Sequence, residues 1–167
     1  MFCNQCEQTA KGIACTTVGV CGKTEDVAAL QDLLTYAVQG LSVVAVEARK
    51  NGIIDNAIDR FAAEAIFACL TNVDFDSARF QTWINKTVML RDELKDRVKA
   101  GGGNVDFEAS AVSFTPADTV DALVVQGQEL DFMNSLDENE DLRSLKQITV
   151  YGIRGLAAYS DHAAILG

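Results

Sequence analysis

Four of the chain's five cysteines fall in its opening stretch, MFCNQCEQTAKGIACTTVGVC. They are Cys3, Cys6, Cys15 and Cys21, spaced C-x2-C-x8-C-x5-C. Two thiolates at C-x2-C spacing can grip one metal centre, and the turn between them lets backbone N–H groups point at the sulfurs. Four thiolates satisfy either one tetrahedral Zn²⁺ or an iron–sulfur cluster. Structural zinc sites usually show two short knuckles, whereas here only Cys3 and Cys6 form one. Cys15 and Cys21 are spread along a glycine-containing loop, CTTVGVC, which suits wrapping a wider object such as a cube of iron and sulfide. Spacing therefore favours a cluster, with zinc, and then disulfides or free thiols, as the alternatives.

The neighbours of these cysteines point the same way. Gly12, Gly19 and Gly22 free the backbone to approach closely and to donate N–H···S bonds. Cys21 lies just before the first predicted helix, whose N-terminal dipole favours a negatively charged ligated centre. Lys11 and Lys23 would add positive charge, although exposed lysines are ordinarily just solvated. Cys69 sits on an apolar helix face and reads as a small core residue. His162 has no cysteine or second histidine near it in sequence and reads as a surface or core histidine. Glu138, Glu140 and Asp141 read as a solvated acidic turn and helix start. No carboxylate pair, nucleophile-plus-base set or phosphate loop stands out, so no catalytic residue is assigned.

The elements that must position the cysteine loop are helical. Thr24 is an N-cap, with Glu25 and Asp26 at the positive end of a helix running to about Asn51. Leu30, Leu33, Leu34, Ala37, Val38, Leu41, Ala45 and Ala48 form its apolar face, and Gly52 is placed for a left-handed C-terminal cap. A second helix covers Asn56 to Leu70, with Ile58, Phe61, Ala65, Ile66 and Cys69 inward. A third runs from Ser77 to Ala100 with Phe80, Trp83, Ile84, Thr87, Leu90, Leu94 and Val98 as its buried stripe. Three amphipathic helices with short connections predict a three-helix bundle, hence an all-α fold. AGGGNVDFEASAVSF then reads as a flexible connection. TPAD reopens a helix with Thr115 as N-cap and Pro116 at its first position, running to about Phe132. NSLDENED is an acidic loop, and a last helix fills Asp141 to Leu166. The resulting division is a cluster-binding loop at 1–23, a bundle at 24–100, a linker at 101–115 and an incomplete second bundle at 116–167.

An internal repeat supports that second bundle. TEDVAALQDLLTYAVQGL aligns with NEDLRSLKQITVYGIRGL, pairing Tyr36 with Tyr151, Gly40 with Gly155 and Gly52 with Gly167. A glycine in mid-helix costs about 1 kcal/mol relative to alanine, so Gly40 and Gly155 are expected where another backbone packs closely. The first copy is followed by two helices that cover its apolar face; the second is not. The chain is accordingly expected to be an N-terminal piece of something longer, whose open bundle offers a face to a second copy.

Composition sets the outer limits. At 167 residues and 49% hydrophobic with one proline, the chain is long enough to bury a real core. No stretch approaches the unbroken apolar run that spans a bilayer, and Cys3 leaves no room for a secretory leader, so a cytoplasmic, membrane-free protein is expected. The net charge of −10 and the absence of Lys/Arg runs supply no surface for nucleic acid.

These features together resemble the N-terminal part of the hybrid cluster protein family, also called prismane or hydroxylamine reductase. The resemblance is carried by MFCNQCEQTA, GVCGKTEDVAALQDLL, LTNVDFDSARF, NEDLRSL and YGIRGLAAYSDHAAILG. It covers the whole chain but only about the first third of a typical member. It implies a first domain of two three-helix bundles followed by two α/β domains. Carried over by position, Cys3, Cys6, Cys15 and Cys21 would ligate the proximal [4Fe–4S] cluster; a variant with longer gaps is associated with [2Fe–2S]. The family's reduction of hydroxylamine to ammonia, with nitric oxide reduction also proposed, occurs at a hybrid iron–sulfur–oxygen cluster held by later domains. None of its ligands falls in this chain, and His162 does not correspond to the hybrid-cluster histidine. The resemblance thus implies an electron relay from a reductase partner to the rest of the enzyme chain, inactive alone. Carbon monoxide dehydrogenases share the superfamily, but their cysteine patterns do not match this opening. The competing reading is a zinc-stapled helical interaction module without redox activity.

Overall fold

The computed structural model describes residues 1–130 and 139–167. Five helices carry the fold: α1 (Glu25–Lys50), α2 (Asn56–Ala68), α3 (Ser77–Ala100), α4 (Val120–Leu130) and α5 (Glu140–Leu166), with short 3-10 turns at Ala10–Gly12 and Ser110–Val112. Among the described residues there is no strand, only an isolated antiparallel bridge between Cys3 and Cys15. The fold is all-α, as the helical periodicity predicts.

The helix starts follow local chemistry. Thr24 Oγ1 accepts from the Val27 amide, while Asp55 and Asp76 each accept two amides at the heads of α2 and α3. Helix α1 is the centre of the molecule, packed along α3, α4, α2 and the Ser110–Val112 turn, and α5 lies against α2. Leu30, Leu33, Leu34, Leu41 and Val44 of α1 meet Phe61 of α2 and Phe80 and Ile84 of α3 in one core. Leu123 and Val124 of α4 and Ala157 of α5 join that same core. Among the described residues α1 is the one helix long and apolar enough to cross a membrane, by length and composition, which departs from the sequence expectation. That is weak evidence for a span, because its leucines are buried in the bundle.

Two connections differ from the expectation. The 101–115 segment does not run free: Ala111 and Val112 are buried, and Val105, Phe107 and Phe114 pack on the core. It crosses Gly40, where an added Cβ would lie 2.2 Å from the Ala111 carbonyl oxygen. Arg91, itself buried, donates to the carbonyls of Ala111 and Phe114 at 3.3 and 2.7 Å and so fastens this strap to α3. Glycine-rich composition suggested slack, but the apolar residues after Asn104 have a surface to cover. The fourth helix begins at Val120, not at Pro116, and Thr119 rather than Thr115 accepts the capping amide, from Ala122. Gln126 accepts from the Ala117 amide and donates to the Thr115 carbonyl, and Gln81 donates to Asp118, which holds the intervening residues out of the helix. Its expected end at Phe132, and Glu138 with most of the NSLDENED loop, lie outside the described residues. Glu140 and Asp141 occupy the first turn of α5, capped by Asn139.

The repeat is visible in structure but unequal. Gly40 has the close backbone neighbour expected of it, whereas a Cβ at Gly155 would meet nothing within 4 Å. Sequence reasoning missed Gly127, where a Cβ would lie 2.3 Å from the Ala29 carbonyl oxygen and which seats α4 on α1. One side of α5 presents Leu145, Ile148, Leu156, Tyr159 and Leu166 to solvent.

Candidate metal centre at the N-terminal cysteine loop

The loop that carries Cys3, Cys6, Cys15 and Cys21 is folded by its own backbone. The Cys3 amide donates to the Cys15 carbonyl at 3.0 Å and the Cys15 amide returns a bond to Cys3 at 2.8 Å. Thr9 closes the knuckle by donating both its amide and its hydroxyl to the Cys6 carbonyl. On the other limb Gly22 donates to Gly19, and Gly19 to Lys23, so Cys21 stands at the apex of a tight turn that feeds α1. The N-terminal ammonium of Met1 pairs with Glu25 in the first turn of α1 at 2.7 Å.

Cys15 is buried and the other three loop thiols are half-buried; no disulfide joins any of them. Amides of Ala10 and Val20 directed at the Cys15 sulfur, with the charge of Lys23 adding to them, hold its pKa below the ordinary thiol range against the opposing effect of burial. Hydrogen bonds of this kind favour the thiolate, the form that ligates metal. At Gly19 a Cβ would stand 2.9 Å from the Cys21 sulfur, so only glycine leaves that thiol its room. Among the described residues no three Cys, His, Asp or Glu side chains converge on a point where one ion could sit. Backbone bonds bring Cys3 and Cys15 side by side.

Four soft donors in one loop, amides directed at one sulfur and a glycine beside another make a donor set of the kind that holds zinc or an iron–sulfur group. The flanking lysines divide. Lys11 is exposed, as expected, but Lys23 is 1% exposed and donates to Gln31 Oε1 at 2.6 Å.

The last helix supports the loop from below. Asn4, between Cys3 and Cys6, donates to Gln147 Oε1 at 3.3 Å and accepts from the Tyr151 hydroxyl. Burial, and the proximity of Cys3, push the Tyr151 phenol up to about 12. One turn on, Arg154 is fully buried, and its Nη2 donates to Thr35 of α1 at 3.1 Å. Sequence reasoning missed Asn4, Gln147, Tyr151 and Arg154; the signal available was the departure of YGIRGL from YAVQGL, where an arginine replaces Gln39.

The remaining candidates are structural. Cys69 is 0% exposed with its sulfur near the carbonyls of Ala65 and Gln31, and burial pushes its thiol up to about 11. His162 lies exposed on α5, edge-on to the Phe67 ring.

The sequence profile of the Prismane/CO dehydrogenase family matches residues 1–167. The chain is 52% identical to a hydroxylamine reductase of Syntrophobacter fumaroxidans over 167 residues, all of this chain and 31% of that protein. It is 49% identical to a hydroxylamine reductase of Methanocella arvoryzae, again over its full length and 31% of the relative. A third, from Maridesulfovibrio salexigens, is 52% identical over 30% of its own length. The chain thus spans about a third of the curated relatives it matches, as their N-terminal portion. It belongs to the Prismane/CO dehydrogenase family.

Proposed function

We propose that this chain is the electron-relay portion of a hydroxylamine reductase, with Cys3, Cys6, Cys15 and Cys21 holding a [4Fe–4S] cluster. The observation that carries this reading is the cysteine loop itself: four thiols, N–H groups directed at the Cys15 sulfur, and a glycine clearing space beside Cys21. Identity near 50% to hydroxylamine reductases along the whole chain supports the enzyme class. When bound, the cluster supplies a store for one electron at a time. The protein's own residues do the rest. The four thiolates fix the group, Cys3 and Cys15 are locked together by their backbone bridge, and Asn4 ties the knuckle to α5.

In this reading the hybrid-cluster ligands lie in the remainder of a longer cytoplasmic enzyme, whose body covers the apolar side of α5. A reductase delivers the electrons, and this portion alone turns over neither hydroxylamine nor nitric oxide. The test is iron, acid-labile sulfide and zinc per chain, on protein purified without oxygen. About four irons with about four sulfides supports the relay. About one zinc without sulfide overturns it in favour of a structural staple.

A further inference from the structure

The fold withdraws three cations from water, Lys23, Arg91 and Arg154, in a chain of net charge −10. Arg91 is accounted for by Asp92 and two carbonyls. The other two are moored to neutral groups on one face of α1. Lys23 donates to Gln31, and Arg154 donates to Thr35, one turn further along; the Thr35 hydroxyl in turn donates to the Gln31 carbonyl. The Nε and Nη1 atoms of Arg154 are buried and meet no acceptor among the described residues. Asp32 shares the surroundings of Arg154, acting on the same Tyr151 and Cys69, and is one negative charge beside two positive ones.

Burying a charge against neutral partners costs several kcal/mol unless a counter-charge answers it. Lys23 borders the cysteine loop directly, and Arg154 is linked to it through Tyr151. Lys23 follows Cys21 by two residues and acts on Cys15. Arg154 stacks near the Tyr151 ring, 5.9 Å from its centroid, and Tyr151 meets Asn4 between Cys3 and Cys6.

We propose that Lys23 and Arg154 are internal counter-charges for the anionic centre held by the four cysteines, and that they raise its reduction potential. The proposal rests on the cluster reading above. On reduction the centre gains one electron from a one-electron donor protein, which is oxidised by one; no bond is made or broken. Fixed positive charge stabilises the more negative, reduced form more than the oxidised one, and burial keeps that effect from being screened by water. Lys23 and Arg154 are positioning residues in this sense, since neither needs to touch the reacting atoms.

The experiment is a redox titration with dithionite, followed by visible absorbance and EPR, on anaerobically purified protein and its Arg154→Gln, Arg154→Lys and Lys23→Gln variants. Iron and sulfide are counted in each. The expected result is a lower midpoint potential in R154Q and K23Q at unchanged iron content, with R154K close to the parent. An unchanged potential in loaded R154Q, or R154K shifting as far as R154Q, overturns the role of Arg154. Should R154Q fail to fold, K23Q decides alone: a lower potential supports the proposal, and an unchanged one in loaded protein overturns it. Absence of iron and sulfide from the parent protein instead overturns the cluster reading, and the inference with it.

Discussion

Tyr151, near the middle of α5, donates its hydroxyl to the side chain of Asn4, in the knuckle between Cys3 and Cys6. Replacing Tyr151 by Phe keeps the ring and leaves Asn4 Oδ1 without that donor. The expected cost is about 1–2 kcal/mol of stability in urea unfolding. In iron-free protein Cys3 and Cys6 should also react faster with a thiol reagent. Unchanged reactivity would show that the loop does not depend on the Tyr151 hydroxyl.

The repeated glycines should respond in opposite senses. Gly40→Ala drives a methyl into the Ala111 carbonyl oxygen and should destabilise by about 2–3 kcal/mol. Gly155→Ala meets open space and should stabilise by about 0.5–1 kcal/mol through helix propensity alone. Paired denaturant melts of the two variants give the comparison directly.

Arg91 is the fastener of the strap. Arg91→Met keeps the stem of the side chain but removes the donors to the Ala111 and Phe114 carbonyls. A loss of about 2–4 kcal/mol is expected, together with new protease cleavage between residues 103 and 115. Resistance equal to the parent would place the strap's hold in its apolar residues instead.

Cys69 predicts an alkaline limb. Its thiol is raised from an ordinary value near 9 to about 11, chiefly by burial. The folded state therefore holds its proton more tightly than the unfolded state does. The stability this gives is fully present below pH 9 and is lost as pH rises towards 11, by about 2–3 kcal/mol. Cys69→Ala should flatten that part of the pH–stability curve while leaving the loop thiols in place. A difference curve that does not change over this range would mean that the thiol is not shielded from water.

The sequence was most legible where structure is decided locally. Helix α3 has the limits its periodicity predicts, and α1 and α2 end within two residues of theirs, because Thr24, Asp55 and Asp76 supply caps and Gly52 adopts the left-handed turn (φ 74°). It was misleading where a distant side chain overrides a local signal. The Thr115–Pro116 start is sound helix chemistry, but Gln81 and Gln126 take the carbonyls and the amide around it. The four loop cysteines were conspicuous from spacing alone. Their support was not, since the burial of Lys23 depends on Gln31, and that of Arg154 on Thr35, more than a hundred residues away in the chain.

The tie between Asn4 and Tyr151 also sets a schedule. The two residues are 147 positions apart, so the knuckle leaves the ribosome long before its anchor exists. At synthesis rates of about 5–20 residues per second, the delay is on the order of ten seconds. During that window the cysteine loop can be held only by its own short bonds and by the start of α1. When α5 docks, Asn4 gains both its partners, so that some of the first residues made are among the last to be fixed.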